Sequence, residues 1–413
     1  MSEATVSKAV LAGGVAAPLS GFRWIALILC AATMFTEGYD AQFIGSVVPG
    51  MAKDFGIMPG AITPALVSGL VGLMLGAFLI APLADSLGRR RVVIYSVAAF
   101  GVLTIASAWA ETLTQMTVLR FFTGLGIGGA MANTTALTAE NSPPEKRATA
   151  VALMFCTFSL GAAFGGFVAA SLSETYGWGS VFLVCGGMAV VLLPFLIVAL
   201  PESLPPKANA KVSIPVGKLF AEGRARITLI LWLIFFANLM ELYIITSWLP
   251  TTINQQGIAL TWAQYATVLV QLGGIAGALS LSPLVDRYGP QFVLSSAFVI
   301  AALSIVTLSV AGTSVELTLV ASFVLGAGTV GAQNCNNAIA AKFYPTEIRA
   351  TGVGWALAVG RIGSIIGPSI AGLLLSTGFE VRTIFIVAMV PPLVAAAAFL
   401  AMGRPPALKG DAA

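Results

Sequence analysis

The sequence predicts an all-α membrane protein with twelve transmembrane helices in two six-helix, pseudo-symmetric halves. Three observations predict it. Of 413 residues, 58% are hydrophobic and only 9% charged, against roughly 25% charged in a soluble domain. Twelve apolar runs are each long enough to cross a bilayer, which takes about 20 residues. Short motifs in the first half recur in the second at offsets of 201 and 202 residues.

The spans fall at about 24–47, 62–83, 92–110, 114–139, 149–171, 179–200, 227–249, 262–284, 291–311, 316–341, 351–375 and 381–402. The first begins near Phe22 and runs too long for the apolar stretch of a cleaved leader. The chain accordingly divides into an N-terminal tail (1–23), a first half (24–200), a linker (201–226), a second half (227–402) and a C-terminal tail (403–413). The net charge of +4 is too small to suggest nucleic acid. With no histidine, the commonest metal ligand and the usual pH switch are both missing. Proton chemistry is left to carboxylates, and no enzyme activity, metal site or cofactor is expected beyond a proton gradient as the energy source. Cys30, Cys156, Cys185 and Cys335 all lie in apolar runs and read as small hydrophobes.

Seventeen of the 21 lysines and arginines lie in the termini and even-numbered loops. Odd-numbered loops carry only Lys53 and Arg382, while Arg120 and Arg361 lie within spans. This bias places both termini in the cytoplasm. The internal repeat pairs Asp85 with Asp286, Glu145 and Arg147 with Glu347 and Arg349, and Gly161 and Gly165 with Gly363 and Gly367. Parallel repeats around a midplane site are a transporter arrangement.

Six groups of residues carry candidate chemistry. Asp85, Gly88 and the basic run Arg89, Arg90 and Arg91 fill the second loop and could lock helices together by charge or simply anchor the positive side. The second copy, Asp286 and Arg287 before Gly289, has Pro290 and Gln291 where further basic residues would stand. The fourth span opens on Arg120, followed by Gly124, Gly126, Gly128 and Gly129. An intramembrane arginine costs about 2.5–3.5 kcal/mol on insertion scales, so it needs a partner, a task or a route to the surface.

In the first span Glu37 and Asp40 are three residues apart and share a helix face. Two adjacent carboxylates do not both ionise cheaply, so one should hold a proton, as a proton-coupled carrier requires. The alternative is a structural pair satisfied by an arginine elsewhere. The seventh span places Asn238 and Glu241 at a similar depth, and the tenth holds Gln333, Asn334, Asn336 and Asn337, which either line a wet cavity or join helices. Arg361 stands about 16 Å into the eleventh span by helix rise. Its planar fork suits a carboxylate, from a substrate or from Glu241, Asp40 or Glu37.

The second-loop and fourth-span motifs resemble those of the major facilitator superfamily, although Ala81 and Ser86 depart from its signature. Glu37-Gly38-Tyr39-Asp40, the stretch from Phe343 to Gly363 and Trp248-Leu249-Pro250 are similar to the aromatic acid:proton symporter family. That resemblance implies uptake of benzoate-type or hydroxybenzoate-type acids with protons, by a monomer in the bacterial inner membrane. It maps the family's two important acidic positions onto Glu37 and Asp40, with Glu37 standing where aspartate is usual. The expected substrate set is Arg361, Glu241, Asn238, Asn334, Asn337 and Arg120. The expected gate is Asp85, Arg89, Arg90, Asp286 and Arg287. A carrier of aliphatic anions, a proton-driven exporter and a non-transporting sensor of aromatic acids are the competing readings. The short tail after residue 402 argues against the last.

Overall fold

A computed structural model describes residues 23–202, 216–221, 223–345 and 348–403. Most of the expected linker, both tails and Glu347 of the repeat therefore lie outside the described residues. Twelve long helices follow one another: α1 (Trp24–Asp54), α2 (Thr63–Leu79), α3 (Arg89–Ser107), α4 (Leu113–Glu140), α5 (Arg147–Tyr176), α6 (Gly179–Ala199), α7 (Ala225–Gln255), α8 (Leu260–Tyr288), α9 (Pro290–Val310), α10 (Val315–Phe343), α11 (Arg349–Ser376) and α12 (Val381–Ala401). Most ends agree with the apolar runs to within a few residues. The exceptions are α1 and α7, which continue to Asp54 and Gln255 through Pro49 and Pro250. A proline removes one ladder hydrogen bond, but inside a helical bundle neighbouring groups re-satisfy the backbone and the helix continues.

The two halves repeat one packing scheme. In the first, α1 packs on α5, α2 on α4, and α3 on α4 and α6; in the second, α7 packs on α11, α8 on α10, and α9 on α10 and α12. Small residues make the close crossings possible. A side chain on Gly161 would strike the backbone of Phe35, and one on its repeat mate Gly363 the backbone of Phe236. Gly88 and Gly289, also repeat mates, cap α3 and α9 with φ of 91° and 86°, a region that L side chains seldom adopt. Along α4, Gly124 faces the backbone of Gly69 and Gly128 that of Leu73. Gly124→Leu would force α2 and α4 apart. It should leave little monodisperse protein by fluorescence-detected size exclusion, whereas Gly187→Ala, with open space around it, should behave as the parent.

The bundle is an integral membrane protein in its exterior as well as its length. Trp24, Tyr95 and Tyr288 are exposed towards the face where the described chain begins and ends, called here the terminal face. Trp109, Tyr176 and Trp262 are exposed towards the far face. Such belts sit at the two membrane–water boundaries. Ten of the helices are long and apolar enough to cross a membrane by composition. The two that fall short are α1 and α4, which carry Glu37, Asp40 and Arg120.

The halves meet chiefly through α5 with α8, α1 with α7, and α2 with α11. These contacts cluster near the far face. Gly45 abuts the backbone of Thr246 and Ser247, and Gly60 that of Gly372 and Ser376. Buried Gln264 of α8 donates to the Ser46 carbonyl of α1 at 2.8 Å and to the Ser173 hydroxyl of α5 at 3.1 Å. Ser46 and Thr267 hydroxyls meet at 3.3 Å, and Thr261 bonds Glu174 at 2.6 Å. Near the terminal face, by contrast, the described polar contacts stay within one half. Arg89 pairs with Glu140, the Arg90 backbone N–H bonds Glu202, and Lys342 reaches Asp286 at 3.5 Å. The structure is closed on its far side.

Two hydrogen bonds at Gln264, each worth about 0.5–1.5 kcal/mol net, would bias that closure roughly 5- to 150-fold. Gln264→Ala should therefore lengthen the distance distribution between spin labels at Tyr176 and Trp262. An unchanged distribution would show that the closure does not depend on this residue.

Candidate functional site

Asp40 and Arg120 form the strongest polar cluster within the bundle. α1 and α4 bring them together across 80 residues of sequence, both buried. Arg120 Nη1 donates to Asp40 Oδ1 at 3.1 Å, and Nη2 lies 2.9 Å from Oδ2 and 3.3 Å from the Asp40 carbonyl. One Nη1–Oδ1 hydrogen bond and a close Nη2–Oδ2 approach hold this ion pair, and Oδ2 has no hydrogen-bond partner among the described residues. Thr104 of α3 donates to Oδ1 at 2.7 Å, and the Cys185 thiol of α6 lies 3.8 Å from the same oxygen. Four helices therefore converge on one carboxylate. Arg120, expected among the substrate contacts, has its charge committed to Asp40 in this state. Nothing in the third span marked Thr104 beforehand.

Glu37, one helical turn away, is fully buried, and neither carboxylate oxygen has a hydrogen-bond partner. It does not share Arg120. The expectation of two carboxylates acting together is thus resolved geometrically into one ion-paired group and one isolated group.

In the second half Glu241 is also fully buried and accepts a 2.6 Å hydrogen bond from Thr329 of α10. Asn238 donates to the Thr329 carbonyl at 3.2 Å, and Asn336 donates to Asn238 at 3.3 Å. The offset of 201 that relates Asp85 to Asp286 also relates Asp40 to Glu241 and Glu37 to Asn238. That arithmetic was open to sequence reading and identifies the two clusters as repeat copies. They differ in charge. At an offset of 202 from Arg120 stands Ser322, whose hydroxyl is spent on the Thr318 carbonyl, so the second copy has no cation where Arg120 stands, and the partner Glu241 takes is the Thr329 hydroxyl. Asn334 is half-buried on α10, and the side chain of Asn337 lies outside the described residues.

Arg361 of α11 is half-buried. Nη1 donates to the phenol of Tyr243 on α7 at 3.1 Å, and Nη2 lies 3.8 Å from the Met131 sulfur on α4 of the other half. No carboxylate among the described residues lies within salt-bridge distance of it, so the pairing with Glu241, Asp40 or Glu37 is not formed in this structure. An intramembrane guanidinium held by a phenol and a thioether is oriented but not neutralised. Tyr243, two residues beyond Glu241 on α7, is what fixes its direction.

The residues expected to form the gate find their partners within single halves in this structure. Asp85 is exposed, and Arg89 pairs with Glu140 at the end of α4 rather than with Asp85. The Arg90 side chain donates to the Ile197 carbonyl. Asp286 pairs with Lys342, and Arg287 lies over the Tyr288 ring at 5.1 Å. With the terminal ends of the halves apart, these groups find their partners within their own half: Arg89 and Asp286 a counter-charge, the Arg90 side chain a carbonyl and Arg287 a ring.

Comparison with known proteins agrees with this architecture. The family model described as Major Facilitator Superfamily matches residues 29–278 and 231–413. The gallate transporter of Pseudomonas putida is 34% identical over 94% of this chain and 93% of its own length. The 4-hydroxybenzoate transporter of Pseudomonas aeruginosa is 35% identical over 94% of each chain. Among solved structures, that of a D-xylose-proton symporter superposes with a TM-score of 0.79 at 17% identity, covering 93% of this chain and 98% of that one. At that identity the likeness is one of fold. Helix order, repeat, family model and relatives agree: this chain belongs to the Major Facilitator Superfamily.

Proposed function

We propose that this protein is a secondary transporter that brings an aromatic carboxylate inward with protons across the bacterial inner membrane, both termini lying in the cytoplasm. The observation that carries the reading is Arg361. Its guanidinium lies between the halves, is aimed by Tyr243 and has no carboxylate partner among the described residues, which leaves its charge available to a substrate anion. The gallate and 4-hydroxybenzoate transporters among the relatives support an aromatic acid, and the lysine and arginine bias supports the orientation. No cofactor is invoked beyond the proton gradient.

In this reading Asp40 is the coupling carboxylate, and Glu37 is a second acid beside it. A proton arriving on Asp40 cancels its attraction for Arg120 and loosens the joint between α1 and α4. The acid binds Arg361 among the amides of α7 and α10, and the halves then rock about the site. When the far face opens, the terminal ends must close, and Asp85, Arg89, Arg90, Asp286 and Arg287 are the groups there that could meet new partners. The test is uptake of labelled aromatic acids into proteoliposomes with and without an inward proton gradient. Gradient-dependent accumulation of one acid is expected. If none accumulates while an aliphatic anion does, or if the gradient drives an acid outward, the substrate or the direction proposed here is wrong.

A further inference from the structure

On the outer flank of the first half, α1, α5 and α6 enclose an apolar cavity of about 540 Å³. Its walls are Ala31, Ala32 and Phe35 of α1 and Val191 and Phe195 of α6, with Thr157 of α5 behind them. The two alanines make the recess, because Ile28 and Trp24 one and two turns below present large exposed side chains. Val191 and Phe195 are 66% and 59% exposed, and α6 packs on α3, α1 and α5. The cavity therefore opens sideways from the bundle, away from the space between the halves.

Its chemistry selects the occupant. The hydroxyl of Thr36, also on the wall, is spent on the Thr33 carbonyl at 2.8 Å. That of Thr157 lies 2.6 Å from the Met154 carbonyl and 3.0 Å from that of Ala31. No polar side chain on the wall is left to receive a ligand. A carboxylate or phenol placed here would lose its hydration without compensation, so the volume, although that of a small-molecule site, suits only hydrocarbon. By helix rise, Ala31–Phe35 stand about 10–17 Å along α1 from Trp24, in the deeper part of one hydrocarbon leaflet of about 15 Å and reaching the bilayer midplane. Arg23, exposed at the foot of α1, sets a cation at headgroup level.

We propose that this cavity seats one acyl chain of an anionic phospholipid from the leaflet in which α1 begins. The seat lies directly below the place where Cys185 of α6 approaches the Thr36 carbonyl (4.0 Å) and Asp40. A chain in it fills the wedge between α1 and α6 beneath that contact and restores dispersion contacts that a void would forfeit.

The test is photolabelling of the full chain in vesicles doped with phosphatidylglycerol bearing a diazirine near the middle of one tail, with adducts mapped by peptide mass spectrometry. Adducts at 31–36 and 188–195 should exceed, several-fold per residue, those on the exposed face of α9 at Ile300 and Leu303. Ala32→Phe should remove the excess while leaving the α9 adducts as an internal measure of folding. A matched phosphatidylcholine probe should label the cavity several-fold less. The proposal is overturned by even labelling of the lipid-facing surface, by an excess that survives Ala32→Phe, or by displacement of the label with excess 4-hydroxybenzoate. Equal labelling by both probes would overturn the anionic headgroup.

Discussion

Asp40→Asn should abolish gradient-driven accumulation while leaving gradient-independent exchange of the acid measurable. Asn keeps the volume of Asp40 and can still accept from Thr104, but it can neither take up a proton nor balance Arg120. Transport then has no carboxylate at the point where α1, α3, α4 and α6 converge. The same substitution leaves a buried guanidinium without an anion, which costs about 3–5 kcal/mol when one partner of a buried pair is removed. Thermal unfolding in detergent should therefore shift downward, and Arg120→Gln added to Asp40→Asn should recover part of the loss. A monodisperse Asp40→Asn protein that accumulates substrate like the parent would remove Asp40 from coupling.

Arg361→Gln should weaken apparent affinity for an aromatic acid by about thirtyfold or more, since losing one member of a buried charge pair costs about 2–5 kcal/mol. Arg361→Lys separates charge from shape. The ammonium keeps the charge but loses the fork that Tyr243 orients, and an intermediate loss of about tenfold is expected. KM should rise in both variants more than the maximal rate falls. Unchanged KM in Arg361→Lys would mean that the acid is held elsewhere, and the carboxylate-binding role would have to be given up. The two experiments are independent. Asp40→Asn is read by its response to the gradient, Arg361→Lys by its response to substrate concentration.

Much of the fold was legible in the sequence because membrane insertion writes itself into composition. Hydrocarbon accepts only apolar helices of a certain length, so the ends of α6 and α12 could be read almost to the residue. Proline misled at Pro49 and Pro250, since the penalty that stops a helix in water is met differently inside a bundle. The site was legible in its members and not in its pairings. Intramembrane charge is rare enough that Glu37, Asp40, Arg120, Glu241 and Arg361 each stood out singly. That Arg120 pairs with Asp40 in this structure depends on how α4 rotates against α1, which no local pattern encodes. Thr104, Thr329 and Gln264 are ordinary residues for a spanning helix. Their importance exists only once the facing helix is in place.

The two ends of the molecule are fastened by different chemistry. At the far face the halves are joined by an amide, hydroxyls and backbone carbonyls, with one carboxylate accepting from a hydroxyl. At the terminal face the groups free to rearrange are arginine, lysine, aspartate and glutamate. Dissolved ions screen the second kind of contact strongly, with a Debye length near 8 Å at physiological ionic strength, and leave the first nearly untouched. With both termini in the cytoplasm, as proposed above, a cell moved from dilute to salty surroundings would thus find its outward seal indifferent to the change. The internal electrolyte, which the cell regulates itself, would set how readily the opposite end lets go.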